Sequence, residues 1–481
     1  MSDTNRVGLA QVQEVTYGLI PATPAFKALR YTGAPSLQFS PKTVASNEIR
    51  ADRQTSDLAL VGAEAGGSVD HELSFESLDD MIAAAMFADW EDKALREGTS
   101  EVTDITVTTD INVAAGESFQ EGDIVQMEGW PIAANNIVLT ALVGTISTLI
   151  KSTGLTNDTS AVGTKVRTVG FEGAAGDIDA VAGGTNGLTS TVLDFTTLGL
   201  VIGEWVKIGG SAVGDKFVNA DLNDWARISV IAVAALDFDI VPVNWAAETG
   251  TGLTIKLWFG SRIRNGTLQK SFSLERAYND HVPVTFEYFR GMVVSGIGLG
   301  FNAQEQVTMT TNFLGKDALL TETREAGATD VPAPGTAILN TSSNVGRIAE
   351  GGLDITGPNF VLSGTINIEN NLRQQNAIGS LGAIGIGTGE FTVTGALSTY
   401  FGNKDLVEKV LNNTETNFDI RFKSATDQVL LIDLPRVKYS AGAANVAGKN
   451  DDVLADLEYQ ALLDATLNYT MHIARYYYTE V

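Results

Sequence analysis

The chain of 481 residues has no cysteine, and its 58 acidic residues outnumber its 32 Lys and Arg residues, giving a formal net charge of −26. The lack of cysteine excludes disulfides, thiolate metal sites and a thiol nucleophile. The negative charge argues against a strong hold on nucleic acid, because binding to phosphates depends on Lys and Arg. It fits either an ordinary solubility charge or a surface past which DNA must move without sticking.

The length suggests roughly three domains. The first residues, Met-Ser-Asp-Thr-Asn-Arg, lack the apolar segment of a signal peptide, and no stretch approaches the ~18 apolar residues that span a membrane. We therefore expect a soluble protein that is made and folded in the cytoplasm. Frequent Thr, Val and Ile, together with 49 glycines, predict a mainly β fold with many turns.

Residues 1–65 are predicted to be an extended arm, because four prolines divide them into short pieces. The arm contains a polar loop whose charges alternate in sign and cannot all be buried, which indicates contact with a neighbouring molecule. The residues of this contact loop are Glu48, Arg50, Asp52, Arg53 and Gln54. Gly66 and Gly67 then lead into a predicted strand at Ser68–Phe75.

A short helix is predicted to open at Leu78, with Ser77 as its N-cap and Asp80 at the capping-box spacing. The apolar residues of this segment recur at helical spacing and predict one buried face. That face comprises Leu78, Met81, Ile82, Ala85 and Met86.

The composition between about residues 95 and 260 changes to Gly, Ala, Thr and Asp with few basic residues. Gly122–Gly129 aligns without gaps on Gly203–Gly210, and in each an acidic turn starts a strand that a glycine ends. We predict two inserted β modules, 96–170 and 171–255, on an outward surface. Such an insertion is tolerated when its ends meet, because closure free energy rises by only ~0.6 kcal/mol per doubling of length.

The β pattern resumes at Phe272–Glu275 and Met292–Gly300, and a connector at 321–355 follows. Further strands are predicted at Val361–Glu369, Phe391–Leu397, Phe418–Phe422 and Val429–Leu434.

A second helix is predicted at 403–412, with Asn403 as its cap and an outer pair between Asp405 and Lys409. Its predicted buried stripe comprises Leu406, Val407, Val410 and Leu411.

The core itself also looks duplicated. Val69, Leu73 and Ser74 match Val393, Leu397 and Ser398, and a slip of one residue then places Asp80, Met81 and Ile82 on Asp405, Leu406 and Val407. A strand followed by a helix thus recurs with the same apolar pattern. Chance similarity between β sequences is the alternative explanation.

The search for chemistry yields no catalytic, metal-binding or cofactor-binding residue. Gly296, Gly298 and Gly300 alternate with apolar residues, which is typical of a strand, whereas a phosphate loop needs a turn that opens a helix. The three histidines are isolated, no serine lies in a Gly-x-Ser-x-Gly elbow, and Asp237 and Asp239 lack the loop of a calcium site.

The order of the contact loop, the first strand and the first helix resembles the N-terminal signature of major tail tube proteins of long-tailed, non-contractile bacteriophages. Three further segments carry the resemblance through their order and spacing. They are Phe289–Ser295, Ile366–Leu372 and Leu434–Lys438. The resemblance covers about 1–95 and 255–481 and leaves the insertion unexplained.

The resemblance implies a β-sandwich flanked by a helix, in rings that pool strands into one inner barrel and stack into a tube for DNA ejection. The first tail-tube half would be 1–95 with 256–320, and the second 356–481. A duplicated chain would close as a trimer that imitates a hexamer, and a single copy would close as a hexamer. The contact loop would touch the next ring. The candidate acids for the lumen are Asp70, Glu72, Glu275 and Glu369.

The implied partners are further copies of the chain, other tail proteins at the tube ends, and duplex DNA in transient passage. We expect no membrane anchor, and we expect localisation in the virion tail after assembly in the host cytoplasm. One alternative is another virion or surface β protein, a shell or adhesive subunit whose inserted modules bind a receptor. An enzyme of β architecture is the third option, and no residue pattern points to it.

Overall fold

The structure is a computed structural model that describes residues 3–115, 119–142, 149–355, 357–446 and 448–480. Strands dominate the described part, and its two α-helices have eight residues each. The predicted fold class, mainly β with short helices, is confirmed. Neither helix has the length and apolar character needed to cross a membrane.

The first part of the chain forms four strands and one helix: β1 (Val7–Gln13), β2 (Ala25–Ala28), β3 (Gln38–Ala45), β4 (Leu58–Glu72) and α1 (Asp79–Met86). The insertion then forms β5 (Leu95–Glu97), β6 (Val102–Thr106), β7 (Asp110–Val113), β8 (Asp123–Glu128), β9 (Val138–Thr140), β10 (Leu149–Lys151), β11 (Asp158–Thr159), β12 (Lys165–Glu172), β13 (Asp179–Val181), β14 (Asn186–Thr189), β15 (Trp205–Ile208), β16 (Trp225–Ala232), β17 (Ala235–Ile240) and β18 (Lys256–Trp258).

The rest of the first half comprises β19 (Ser261–Arg264), β20 (Ser271–Tyr278), β21 (Thr285–Asn302), β22 (Thr308–Gly315), β23 (Asp317–Thr321) and β24 (Thr329–Val331). The second half comprises β25 (Val345–Glu350), β26 (Leu353–Asp354), β27 (Val361–Glu369), β28 (Arg373–Gln375), β29 (Gly385–Gly387), β30 (Thr392–Tyr400), α2 (Asp405–Asn412), β31 (Glu415–Lys423), β32 (Val429–Val446), β33 (Val453–Ala461) and β34 (His472–Tyr476).

Eight strands form an antiparallel central sheet in the order β3, β4, β22, β21, β27, β30, β33, β32. The two longest strands, β21 and β32, each have 18 residues and use only their C-terminal parts here. Their N-terminal parts continue into two outer sheets. The first outer sheet has the order β24, β2, β1, β20, β21, β23, and the second has the order β26, β25, β31, β32, β34, β19.

The two halves repeat one topology. The series β1, β2, β3, β4, α1, β20, β21, β22, β23 corresponds to β25, β26, β27, β30, α2, β31, β32, β33, β34. Even the irregularities recur: β20 and β31 shift register at Phe272/Leu274 and Thr416/Phe418, and β21 and β32 shift at Val294/Gly296 and Tyr439/Ala441. A matched bulge is a specific local feature, so these shifts fix the alignment of the halves.

This alignment corrects the register proposed from sequence. Gly67 and Gly395 pair with equivalent residues of β22 and β33, so Val69 corresponds to Leu397 rather than to Val393. Each helix ends at a residue of left-handed conformation, Phe87 or Asn413. The sequence comparison was wrong by four residues in the strand and by one in the helix, because alternating apolar residues match equally well after any even shift.

The prediction of an extended arm was also wrong. β1 pairs along its whole length with β20, and its inward side chains, such as Leu9, are part of the main core. Helix α1 begins without a side-chain cap, since the Ser77 hydroxyl bonds within the turn that starts at Ser74. Residues Met81 to Met86 of α1 are all buried on every side, and only its first turn, at Asp79 and Asp80, is partly exposed.

In α2, Asn403 accepts a hydrogen bond from the Asp405 amide at 3.1 Å, as its predicted role requires. Leu406 is buried, and Val407 and Val410 pack against the core. Two details were wrong: Leu411 is exposed, and Lys409 pairs with Glu350 rather than with Asp405.

The main hydrophobic core lies between the central sheet and the outer sheets, and α1 is buried within it. Side chains from Ile297 and Ile366 of the central sheet meet Leu274 and Ile432 of the outer sheets there. The opposite face of the central sheet is open. The fold therefore gives each strand of the central sheet one apolar face and one accessible face, as expected of an antiparallel sheet with a single covering layer.

The insertion occupies the place between α1 and β20, where the second half has only the two residues Asn413 and Thr414 between α2 and β31. Its ends meet, because the amides of Gly266 and Leu268 donate to the carbonyls of Met86 and Phe87 at 2.8 and 2.7 Å. The aligned segments at Gly122 and Gly203 contain β8 and β15 of a single sheet, separated by the paired strands β12 and β18. The division into modules 96–170 and 171–255 stays a prediction.

Candidate assembly surfaces

The open face of the central sheet carries five carboxylates that have no ion-pair partner within the described residues. They are Asp70, Glu72, Glu369, Asp456 and Glu458. Three of them were predicted from the sequence. Asp456 and Glu458 were missed, although the alternation of Leu457, Tyr459 and Ala461 with these acids is the signal that could have found them.

Two of these carboxylates are held by neighbouring side chains. Asp70 accepts a hydrogen bond from the Thr310 hydroxyl at 2.7 Å. Asp456 accepts from Ser398 at 2.6 Å and from the Asn445 amide at 3.0 Å, and these bonds lower the pKa of its carboxyl. The hydrogen bonds from Ser398 and Asn445 therefore favour the ionised form of Asp456. Partial burial raises the pKa of Glu369.

Small uncharged residues form the middle of the open face. Thr365 and Asn367 of β27 lie opposite glycines of β21, which the sequence analysis assigned to a strand, and Thr394 of β30 lies opposite Asn367. Towards the tip of the β3–β4 hairpin, the same face carries an ion pair between Lys42 and Glu64 at 2.5 Å. A Cβ on Gly296 would lie 2.4 Å from the carbonyl oxygen of Ile368, so the glycine allows β21 and β27 to approach closely. The face is therefore smooth as well as negatively charged.

Glu275 does not belong to this face. It is buried in the first outer sheet, where it accepts a hydrogen bond from Tyr288 at 2.9 Å and pairs with Arg324 at 2.8 Å. The sequence pattern predicts that Glu275 lies in a strand. It does not show that the segment containing Arg324 covers the face of the sheet on which the Glu275 side chain lies.

The central sheet ends in two free edges within the described residues. β3 pairs only with β4, and the C-terminal part of β32, from Ala441 to Val446, pairs only with β33. Unpaired edges expose backbone amides and carbonyls that bind another strand readily. Within the chain, the corresponding edges of the first and second halves are joined, because β21 pairs with β27 over Gly296–Asn302 and Ser363–Glu369.

The predicted contact loop lies at the tip of the β3–β4 hairpin, and all five of its residues are exposed. Arg50 and Asp52 form an ion pair at 2.8 Å, which lowers the pKa of the Asp52 carboxyl and raises that of the Arg50 guanidinium. Glu48 lies 3.9 Å from Arg50, and Arg53 has a left-handed backbone with φ of 61°. The strand preceding α1 starts at Leu58, ten residues before the predicted start at Ser68.

The insertion packs on the side of the second outer sheet that faces away from the central sheet. Trp205 and Trp225 contact Leu431 and Tyr476 there, while the alternate residues of β32, such as Ile432, face the main core. The insertion therefore lies on the opposite side of the molecule from the open face.

Buried charges join the insertion to this outer sheet. Arg227 lies 2.7 Å from Asp239 and 3.2 Å from the fully buried Asp433. Burial raises the pKa of the Asp433 carboxyl, and Arg227 opposes that rise. Removing residues 100–255 would leave Asp433 and its apolar neighbours Leu431 and Tyr476 exposed.

The histidines His71 and His472 are buried in strands of the fold. His71 hydrogen-bonds through Nδ1 to the Arg30 carbonyl at 2.7 Å, and His472 is buried among the outer-sheet residues. Tyr476, Tyr477 and Tyr478 pack against Trp225, Phe75 and Trp258, respectively. The described part of the chain contains no group of three or more His, Asp or Glu residues placed to hold a metal ion.

Comparison with known proteins gives one family. The model of a family described as phage tail tube protein matches residues 4–461, which includes the first half, the insertion and the second half up to the end of β33. None of the curated proteins matches the chain.

Proposed function

Because the chain belongs to the phage tail tube protein family, we propose that it polymerises as stacked rings into the tail tube of a long-tailed, non-contractile phage and that DNA passes through this tube into the host. The pair of free edges on the central sheet carries this proposal. Each edge corresponds to one side of the β21–β27 junction already present inside the chain.

The internal junction supplies a register for closure between subunits. β32 corresponds to β21 and β3 corresponds to β27, so the end of β32 would pair with β3 of the next subunit. In the internal junction Gly298 lies opposite Asn367. The equivalent residues at the subunit boundary are Ala443 and Gln38, and both side chains lie on the open face. A head-to-tail contact of this kind generates a ring when the rotation closes.

The duplication favours a ring of three chains. Eight central-sheet strands from each of three chains would form a barrel with a backbone diameter of about 45–50 Å, from the usual strand spacing and tilt. Such a barrel leaves room for a DNA double helix. Closure also removes every free edge of the central sheet, which protects the strands from aggregation.

The open face would line the bore. Its five unpaired carboxylates per chain repel phosphates, its middle is a surface of threonine and glycine, and the Lys42 ammonium on β3 is paired with Glu64. These properties suit the passage of DNA, because affinity for a duplex comes mainly from Lys and Arg at the phosphates. Asp456, whose hydrogen bonds from Ser398 and Asn445 lower the pKa of its carboxyl, keeps its charge in this arrangement.

The contact loop at Glu48–Gln54 would reach the next ring, since its charges are exposed at the end of a hairpin. The insertion would lie outside the tube, because it packs on the side of the molecule opposite the open face. The first tail-tube half would comprise 1–95 with 256–320, and the second 356–481 after the connector 321–355. Other tail proteins would bind at the tube ends, and assembly would take place in the host cytoplasm.

The cysteine-free sequence allows a direct test by crosslinking. Gln38→Cys and Ala443→Cys in one chain should form a disulfide between neighbouring subunits on mild oxidation, since directly opposed residues fall within disulfide range. In a denaturing gel without reductant, the ladder should end at three chains. A ladder ending at six would show a hexamer.

Ser40→Cys with Ala443→Cys is the matched control. Ser40 lies on the same face of β3 but is displaced by two residues, about 7–8 Å from its diagonal partner, which is beyond disulfide range. Negative-stain electron microscopy of the concentrated protein should show hollow striated tubes. Closed shells or solid fibres would overturn the proposal and favour the shell or adhesive subunit.

A further inference from the structure

The two halves of the chain each carry a hairpin that extends past the central sheet. In the first half it is the outer part of β3–β4, residues 41–63, here called the first hairpin. In the second half it is formed by residues 370–391 and contains β28 and β29, here called the second hairpin. The pairs Val44–Ala59 and Arg373–Gly387 occupy equivalent positions in the two, so the hairpins match in register as well as in place.

The second hairpin is packed against the first half of its own chain. Ala383 and Ile386 are buried in a cluster with Phe87 and Val293. Polar contacts add to this packing: Gln374 donates to the Gly315 carbonyl at 3.0 Å, and Gln269 donates to the Ile386 carbonyl at 3.1 Å. The surface that receives it is formed by the end of α1, β21 and the end of β22.

The first hairpin meets the second hairpin at its base, where the Ala63 amide donates to the Leu381 carbonyl at 2.8 Å. Beyond that contact, no surface of the described chain covers it. Leu58 and Leu60 are 62% and 52% exposed. A register shift between Lys42 and Thr43 places both leucines on the same side as the buried residues Ala63 and Ala65. The core-facing apolar stripe of β4 therefore continues beyond the core of its own subunit. Val44 is exposed as well, and so is Ile49 in the charged tip. The two strands of the first hairpin therefore carry apolar side chains that the described part of their own subunit leaves uncovered between the base and the tip.

Resting on the ring closure proposed above, we propose that the first hairpin docks on the second half of the neighbouring subunit, as the second hairpin docks on the first half of its own chain. If β3 extends the neighbour's central sheet beside β32, the first hairpin lies over the end of α2, β32 and the end of β33. Leu58 corresponds to the buried Ile386, so it is the main anchor.

The receiving surface on the neighbour has the chemistry to accept these side chains. The residues equivalent to Phe87 and Val293 are Asn413 and Lys438, and the end of β33 leads to Leu463. Leu411 and Leu463 are exposed and apolar, while the Lys438 ammonium is held 3.3 Å from Glu415 and leaves its aliphatic stem for packing. The tip at Glu48–Gln54 extends past this surface and stays available for the next ring.

The double variant Leu58→Ser and Leu60→Ser tests this docking. Both leucines are exposed in the subunit, so the monomer should keep its thermal midpoint. We expect at least a tenfold rise in the concentration needed for ring formation, because each buried leucine adds to the association through its apolar area. Val218→Ser with Val282→Ser is the control, since both valines are exposed and lie away from the docking surfaces.

Hydrogen exchange on assembled rings supplies a second measurement. Amides of residues 41–63 should gain protection together with those around Asn413 and Gln460 of the neighbour. Rings that form at the wild-type concentration in the leucine variant, or a first hairpin that stays unprotected in rings, would overturn the docking while the ring itself stands. Absence of any ring or tube in the unmodified protein would instead refute the proposed function.

Discussion

Replacing Arg227 by methionine is expected to loosen the insertion from the second outer sheet. Arg227 lies 3.2 Å from the buried Asp433, and the Tyr469 hydroxyl donates a hydrogen bond to the same carboxylate at 3.2 Å. Methionine keeps most of the aliphatic volume but removes the cation. The change therefore takes the paired cation away from a carboxylate that stays buried.

The size of the effect follows from the geometry. At 3.2 Å, and with the effective dielectric of about 20 that describes most protein sites, the direct attraction is about 5 kcal/mol. Breaking a buried pair by removing one partner typically costs about 3–5 kcal/mol. We expect Arg227→Met to lower the free energy of local opening at this interface by about 3 kcal/mol or more.

The effect should depend on pH in a definite direction. Burial raises the pKa of Asp433, and the loss of Arg227 removes the main influence that lowers it. A carboxyl whose pKa is higher in the folded than in the unfolded protein does not affect stability at a pH where it is protonated in both states. As the pH rises from its pKa in the unfolded protein towards its pKa in the folded protein, the carboxyl lowers the free energy of unfolding by a growing amount. The variant should therefore lose more stability at pH 8 than at pH 5.

Hydrogen exchange at residues 429–433 and 225–228 measures this opening directly, which suits a chain whose global unfolding need not be two-state. Arg227→Met with Asp433→Asn should recover most of the loss and remove its pH dependence. Lys404→Met is the control, because the exposed Lys404–Glu408 pair should contribute less than about 0.5 kcal/mol. An unchanged exchange rate in Arg227→Met, or a double variant as labile as the single one, would refute the reasoning.

Two further changes test the insertion and the junction of the halves. Burial raises the pKa of Asp123 to about 7, so Asp123→Asn should be more stable than the wild type by about 4 kcal/mol at pH 8 and nearly equal to it at pH 4. Thermal melts at the two pH values check this, and an equal gain at both would contradict it. Gly296→Ala should destabilise by about 2 kcal/mol, because its Cβ would lie 2.4 Å from a backbone oxygen. Gly298→Ala, whose Cβ meets only the Asn367 side chain at 3.1 Å, should stay within about 0.5 kcal/mol in the same melts.

Features that repeat over short distances were predictable from the sequence. The mainly β class, the two helices and the strand at Val361–Glu369 follow from apolar spacing alone. Three of the four candidate acids lie on one face because alternation along a strand separates its two sides. The insertion was visible as a change of composition between two segments of similar pattern.

Features that depend on distant pairing were not predictable. β1 looked like part of an arm because its partner β20 lies more than 250 residues later. Glu275 alternates like the acids of the open face, and only the return of Arg324 and Tyr288 buries it. The exact alignment of the two halves rested on matched bulges, which need a known partner strand before they can be recognised.

The position of the insertion connects these observations. It leaves the chain in the first half, between α1 and β20, yet it packs on an outer sheet made mostly of second-half strands, where Trp205 contacts Leu431. β19, which follows the insertion, completes that sheet by pairing with β34. The two halves are thus joined on the outside by the insertion and on the inside by the β21–β27 junction. In the proposed ring, neighbouring subunits share a strand junction of the β21–β27 type, but no insertion of one subunit packs across the boundary as it does between the two halves of a chain. We therefore expect the ring to come apart at β32–β3 contacts before the halves of any chain separate.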